Sequence, residues 1–205
     1  MSNGDLFVVS APSGTGKTTL IRKLCEDLGE IYFSVSFTTR KMRRGEREGV
    51  DYNFVDDDRF SRMVDAGEFL EWARVHDRRY GTSAALVDAA LARGHDVLLD
   101  IDTQGAANVR ALRGDAVLIF ILPPGRSALA ARLEGRGLES AAEVARRLGN
   151  AREEMAKHVN YDHLVINDNL EAALRELEAI VLSYRSRVAR RREACRSILE
   201  SFQQT

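Results

Sequence analysis

Ala11-Pro12-Ser13-Gly14-Thr15-Gly16-Lys17-Thr18-Thr19 follows the apolar run Leu6-Phe7-Val8-Val9 and leads into Leu20, Ile21, Leu24 and Leu28 at helical spacing. A strand, a glycine-rich turn and a helix start in that order make a phosphate cradle. The glycines let the backbone curl so that several N–H groups point inward, and the helix N-terminus adds partial positive charge. Lys17 then reaches the outer phosphates of a nucleoside triphosphate, and the Thr18 hydroxyl offers an oxygen to magnesium. Such loops usually open with glycine, and here the first position is Ala11. The Gly-Lys-Thr core and the strand–loop–helix context nevertheless agree, and a bare glycine turn leaves the spacing unexplained. Of 30 basic residues only Lys17, Lys23, Lys41 and Lys157 are lysines. A lysine in this loop is therefore chosen against the habit of the chain.

The remainder of the 205 residues reads as one domain with attached flaps. A hydrophobic fraction of 44% and a charged fraction of 30% suit an ordinary globular protein. The 30 basic and 31 acidic residues nearly cancel, which argues against a whole-chain nucleic-acid binder. Cys25 and Cys195 suggest no disulfide framework. No apolar run approaches the roughly 20 residues that span a bilayer, and Met1 to Asp5 lacks a signal-peptide pattern. The expectation is a cytoplasmic protein with no membrane and no nucleic-acid partner.

Three apolar runs, Val97-Leu98-Leu99, Val117 to Leu122 and Leu164-Val165-Ile166, read as buried strands. Helical patterns separate them, at Ala84–Ala92, Gly105–Leu112 and Ser127–Met155. Continuous apolar strands with helical crossovers predict an α/β fold, a parallel sheet covered by helices on both faces. The block 34–82 differs in kind. Its extended segments, Tyr32–Phe37, Asp51–Val55 and Phe69–Val75, alternate polar and apolar residues, and Asp56-Asp57-Asp58 signals a helix start. It reads as an inserted mixed-sheet lobe. The core is expected at 1–33, 83–134 and 159–205, with a mobile lid over 135–158 around Gly135-Arg136-Gly137. A last helix is expected from about Leu170 to Phe202, packed on one side, with the arginines of 185–196 forming a solvated face rather than an RNA site.

Two further signals carry chemistry. Asp100 and Asp102 end an apolar strand at the edge where open parallel sheets bind ligands. Asp100 is suited to holding or orienting magnesium; Asp102 is also compatible with a solvated strand end. In the lobe, Arg40 and Arg43 with Tyr52 and Tyr80 would clamp a second phosphate group, since the guanidinium fork matches phosphate oxygens. Glu71 lies between Phe69-Leu70 and Trp72-Ala73 and needs a partner. Guanine offers two adjacent N–H donors to one carboxylate, and Ser36 and Thr82 can serve its O6. Adenine lacks that donor pair.

These blocks together resemble the guanylate kinase family, from Val8 to about Asn169. The matching segments are 12–18, Ser-Val-Ser-Phe-Thr-Thr-Arg at 34–40, Arg-Arg-Gly-Glu at 43–46, Tyr80-Gly81-Thr82 and Leu-Asp-Ile-Asp-Thr-Gln-Gly at 99–105. Further on come 120–124, Arg-Leu-Glu-Gly-Arg-Gly at 132–137, Arg147-Leu148 and Val165-Ile166-Asn167-Asp168. The resemblance implies a P-loop kinase that transfers the γ-phosphoryl group of ATP to GMP, and to dGMP, with magnesium as cofactor. It implies ATP on Ser13, Gly14, Thr15, Gly16, Lys17, Thr18 and Thr19, with Asn167 at adenine and Thr18 and Asp100 on the metal. GMP would meet Ser36, Arg40, Arg43, Tyr52, Glu71, Tyr80 and Thr82, with Asp100 and Asp102 beside it. Arg132, Arg136 and Arg147 would close on the phosphoryl group with Lys17, Arg40 and Asp100. Met42 stands where the family commonly has proline between the two clamp arginines. Two other readings share the fold: a guanylate-kinase-like protein-interaction domain, disfavoured by the intact phosphate loop, and a sugar-phosphate kinase, disfavoured by the guanine set.

Overall fold

The computed structural model describes residues 3–75, 77–135 and 140–202. In chain order the strands are β1 (Leu6–Ser10), β2 (Ile31–Phe33), β3 (Phe37–Thr38), β4 (Asn53–Phe54), β5 (Phe69–Val75), β6 (Arg78–Ser83), β7 (Asp96–Asp100), β8 (Val117–Leu122) and β9 (His163–Ile166). The helices are α1 (Lys17–Leu28), α2 (Asp57–Asp65), α3 (Ala84–Ala92), α4 (Thr103–Leu112), α5 (Arg126–Glu134), α6 (Ala141–Met155), α7 (Leu170–Arg185) and α8 (Val188–Ser201).

Five parallel strands in the order β2-β7-β1-β8-β9 form the main sheet. Its central strands β1, β7 and β8 are apolar through their interiors because each alternate side chain meets a different helical layer. Phe7 and Val9 of β1, Leu98 of β7 and Ile119 and Ile121 of β8 pack with Leu20, Leu24, Leu177 and Val181, on the side of α1 and α7. Leu6, Val8, Val97, Leu99 and Leu118 turn the other way, onto Val87 and Leu91 of α3 and Ala106 and Val109 of α4. Each such side chain, removed from water, contributes roughly 1.5–3 kcal/mol. The two layers fix the sheet, and the sheet fixes where β1 and β7 end.

The second sheet, β4-β3-β6-β5, is mixed: β3 pairs parallel with β4 and antiparallel with β6. Its own small core gathers Phe37, Phe60 and Phe69, with ring centroids 4.6 Å apart for Phe60 and Phe69. Gly81 lies against the Phe69 ring, where a Cβ would come within 2.8 Å. Asp56 caps α2 by accepting from the Arg59 N–H at 2.7 Å, the role its acidic cluster signals.

Four segments depart from the sequence reading. The single extended stretch Tyr32–Phe37 is two strands, β2 in the main sheet and β3 in the other, with Ser34 to Ser36 crossing between them. The segment Arg78–Ser83 carries no strand signal of its own, since charged Arg78-Arg79 and Gly81 break any apolar alternation, and antiparallel pairing along β5 makes it a strand. The helical stretch Ser127–Met155 is α5, capped at Gly135, and α6, which starts from the Ser140 cap; residues 136–139, Arg136 among them, lie outside the described part. The last helix is also two, α7 and α8, separated at Ser186 and the extended Arg187 (φ −61°, ψ 143°). The reason is electrostatic. Arg185 and Arg190 both reach the carboxylate of Asp96, Arg185 Nε at 2.6 Å and Arg190 at 2.9 Å. Residues five apart on one continuous helix point about 140° apart, so the chain bends to let both converge. Part of the arginine tract is therefore a clasp rather than a solvated face, and Val188, which continues the helical spacing of Leu174, Leu177, Val181 and Tyr184, is 81% exposed.

Candidate active site

The loop after β1 turns at Gly14 and Gly16, both with φ of +90°, a conformation that disfavours any side chain. Ala11 has no positive φ, so the glycine usual at that position is not required by the backbone. Space also demands the two glycines. A Cβ at 14 would lie 2.8 Å from Leu133 of α5, and one at 16 would lie 2.7 Å from the Asn167 amide. Lys17 opens α1 and forms an ion pair with Asp100 at the end of β7. Register explains the meeting: β1 and β7 run parallel with Val9 opposite Asp100, so the loop that leaves β1 passes beside that carboxylate. Thr18 and Thr19 are exposed on the first turn of the helix, and Asp102 caps α4 by accepting from the Gly105 N–H at 2.8 Å.

A cavity of about 440 Å3 runs from this loop to the second sheet. At its far end stands Glu71. A bulge between Phe69 and Glu71 places one extra residue, Leu70, in β5. Leu70 drops into the main core, while Glu71, Ala73 and Val75 line the cavity and Trp72 turns outward. Bulges next to ligand sites commonly re-aim a side chain in this way. Glu71 is 6% exposed and its Oε1 accepts from the Thr82 hydroxyl at 2.7 Å, across the β5–β6 ladder. Burial, opposed by the Thr82 bond and aided slightly by nearby Asp102, pushes its carboxyl up to about 7. Ser36 and Tyr80 line the same space.

Arg40 lies with its guanidinium 5.1 Å from the centre of the Tyr52 ring, which in turn stands edge-on to Tyr80. The guanidinium is engaged by Glu46 through two bonds, 2.7 and 3.0 Å, and Glu46 also accepts from the Arg43 N–H at 2.7 Å. That pairing holds the Glu46 carboxyl below its ordinary range. One carboxylate thus closes the turn between the two arginines, with Met42 exposed inside it, so the turn does not depend on proline at 42. In the sequence Glu46 stands out only within the matching block Arg-Arg-Gly-Glu. An acid three residues from one arginine and six from the other was the available signal.

Arg147 of α6 lines the cavity, together with Asn150 and Glu154. Arg132 sits behind the loop, donating to the carbonyls of Asn167 at 2.9 Å and Thr15 at 3.3 Å. Asn167 is 4% exposed and donates to the Thr15 carbonyl at 2.6 Å. These two residues come to the loop's backbone, whereas Arg43 is exposed at the turn and Arg136 lies outside the described residues. Lys157, in the turn that follows α6, donates to Thr103 of α4 at 3.0 Å and so ties that segment to the helix beside Glu71.

The parallel sheet, the glycine-cornered loop at a helix N-terminus and the buried polar lobe across the cavity define a P-loop phosphotransferase with a separate acceptor site. The comparisons sharpen that class. A guanylate kinase family model matches residues 3–184. The chain is similar to a guanylate kinase of Chromohalobacter salexigens, 52% identical over 92% of this chain and 88% of the relative. It is 51% identical to one of Methylobacillus flagellatus, over 90% of this chain and 91% of the relative. The crystal structure of guanylate kinase from Anaplasma phagocytophilum superposes with a TM-score of 0.75 at 32% identity, covering 92% and 90% of the two chains. This chain belongs to the guanylate kinase family.

Proposed function

We propose that the protein transfers the γ-phosphoryl group of ATP to GMP or dGMP, yielding ADP and GDP or dGDP. The observation that carries the reading is one cavity holding both Lys17 of the phosphate loop and Glu71 of the lobe. The loop's inward N–H groups and Lys17 take the phosphates of ATP. A carboxylate that is buried, positioned by Thr82 and short of donors accepts the N1–H and N2–H of guanine, and adenine would leave it unpaired. Arg40, Arg43, Tyr52 and Tyr80 hold the acceptor phosphate, with Glu46 keeping the Arg40 fork in place.

Phosphoryl transfer asks the protein mainly for alignment and charge neutralisation. Lys17 exchanges its Asp100 partner for phosphate oxygen, and Arg147 approaches from α6 across the cavity. Arg132 and Asn167 hold the loop from behind, beside the face assigned to adenine. Residues 135–158 act as a lid that keeps water from the phosphoryl group. Magnesium fits the donors present. Thr18 and Asp100 would hold it, offering hard oxygen donors at the phosphate end. When bound, it neutralises charge between the phosphates. No helix among the described residues is long and apolar enough to cross a membrane.

The test is an ADP-release assay with ATP, magnesium and a panel of acceptors: GMP, dGMP, AMP and a ribose phosphate. Turnover with GMP far above AMP is expected. Preference for the sugar phosphate, or no turnover with any acceptor, overturns the proposal.

A further inference from the structure

We propose that Gly105 is a positioning residue for acceptor recognition: by lacking a Cβ it leaves the first turn of α4 open as the floor on which the Glu71 carboxylate rests. The inference deepens the reading of Glu71 as the guanine partner and rests on it. Glycine is among the poorest residues for a helix, yet Gly105 sits in the first turn of α4 and is buried. Its φ is not positive, so the backbone itself does not demand glycine. Space does. A Cβ at 105 would stand 2.8 Å from Glu71 Oε2, closer than carbon and oxygen pack, and 3.3 Å from Asp102 Oδ1, a tight contact.

Glu71 has little room to yield. Its other oxygen, Oε1, is taken by Thr82, and Leu70 before it is locked into the main core. Helix α4 is fixed in turn by the Asp102 cap on the Gly105 N–H itself. A methyl group on this floor therefore drives the carboxylate out into the cavity, into the space of the acceptor base. The ATP end of the cavity is untouched, because the loop and Lys17 are carried by β1 and α1.

The proposal separates from a general helix effect by kinetics on three variants of the full chain: Gly105→Ala, Glu71→Ala and the double variant. Gly105→Ala is expected to raise the KM for GMP about tenfold, with kcat and the KM for ATP close to those of the parent. In the Glu71→Ala background, where no carboxylate remains to be displaced, adding Gly105→Ala should raise it no further. An unchanged KM for GMP in Gly105→Ala overturns the proposal, as does the same fold-rise in both backgrounds. If Glu71→Ala alone leaves the KM for GMP unchanged, the guanine reading fails first and takes this inference with it. Should Gly105→Ala not fold, recovery of folded protein in the double variant demonstrates the same contact, and no recovery overturns it.

Discussion

The two ends of the cavity are built on opposite plans. At the phosphate loop the ligand-facing surface is mostly backbone, shaped by Gly14 and Gly16, with one cation, Lys17, and its neighbour Asp100 at the edge of the main sheet. In the lobe the surface is made of side chains that are expensive to bury: Glu71 at 6% exposure, and Arg40 locked to Glu46. Backbone N–H groups bind any polyphosphate alike and so confer chemistry without identity. A buried carboxylate is tolerable only with the right donors opposite it, so it confers identity at a cost in stability. Division of labour follows from which groups can be left unpaired.

That contrast breaks most sharply at Lys17. Lys17→Ala should lower kcat by about 10³-fold, the scale of losing a donor aimed at developing charge, while leaving the KM for GMP nearly unchanged. Steady-state kinetics at saturating ATP would show it; an active variant would put the catalytic charge elsewhere. Next comes Glu71→Ala, expected to lower kcat/KM for GMP by about 10²-fold through the loss of charge-assisted bonds, with activity on AMP unaltered. Here the acceptor panel is the measurement, and retained GMP preference would move guanine recognition away from β5.

A milder probe leaves the chain intact and changes only pH. Glu71 must be ionised to accept two N–H groups, and burial has pushed its carboxyl to about 7 from an ordinary 4.5. Affinity for GMP should therefore fall about tenfold per unit as pH drops below 7, read as KM for GMP between pH 8 and 5.5. The same group has the opposite effect on the ligand-free fold. Its pKa is higher folded than unfolded, so its contribution to stability is present below about 4.5 and is lost as pH rises towards 7. Thermal melts with and without GMP should diverge over that window. A flat KM profile would show that the carboxylate does not titrate there. Least effect on catalysis is expected from Asp96→Ala. The clasp lies at the opposite end of β7 from Asp100, about 13 Å away at strand rise. Stability should drop by about 3 kcal/mol in urea unfolding, with both KM values near the parent's.

The main sheet was legible because a strand buried on both faces is apolar through its interior, and β1, β7 and β8 announce themselves in that way. The run 164–166, expected to be buried, is the edge strand β9, where only Val165 is buried and Leu164 and Ile166 are exposed. The phosphate loop was legible because its geometry demands glycine and lysine at fixed spacing. The lobe was only half legible. Its strands are two to seven residues long and owe their form to pairing, which a run such as Arg78-Arg79-Tyr80-Gly81 does not display by itself. The contacts that position the site were the hardest to read. Glu46 closing on Arg40, Gly105 beneath Glu71 and Asn167 against the loop carbonyl span 6, 34 and 152 residues of sequence, and each depends on a fold that must exist first. The break between α7 and α8 was hidden for a similar reason, since its cause, the carboxylate of Asp96, lies on a strand some 90 residues earlier.

That carboxylate also bears on what counts as the folding unit. Its side chain is fully buried, and besides Arg185 and Arg190 it accepts from the Asp5 N–H, while Arg190 pairs with Asp5 as well. The match to the family model ends at residue 184. A chain cut there would keep every described residue of the cavity and yet bury a negative charge with neither of its counter-ions. The fold therefore draws on residues as far as Arg190, because Asp5 and Arg190 are fastened to each other through one acid at the start of the strand that carries Asp100.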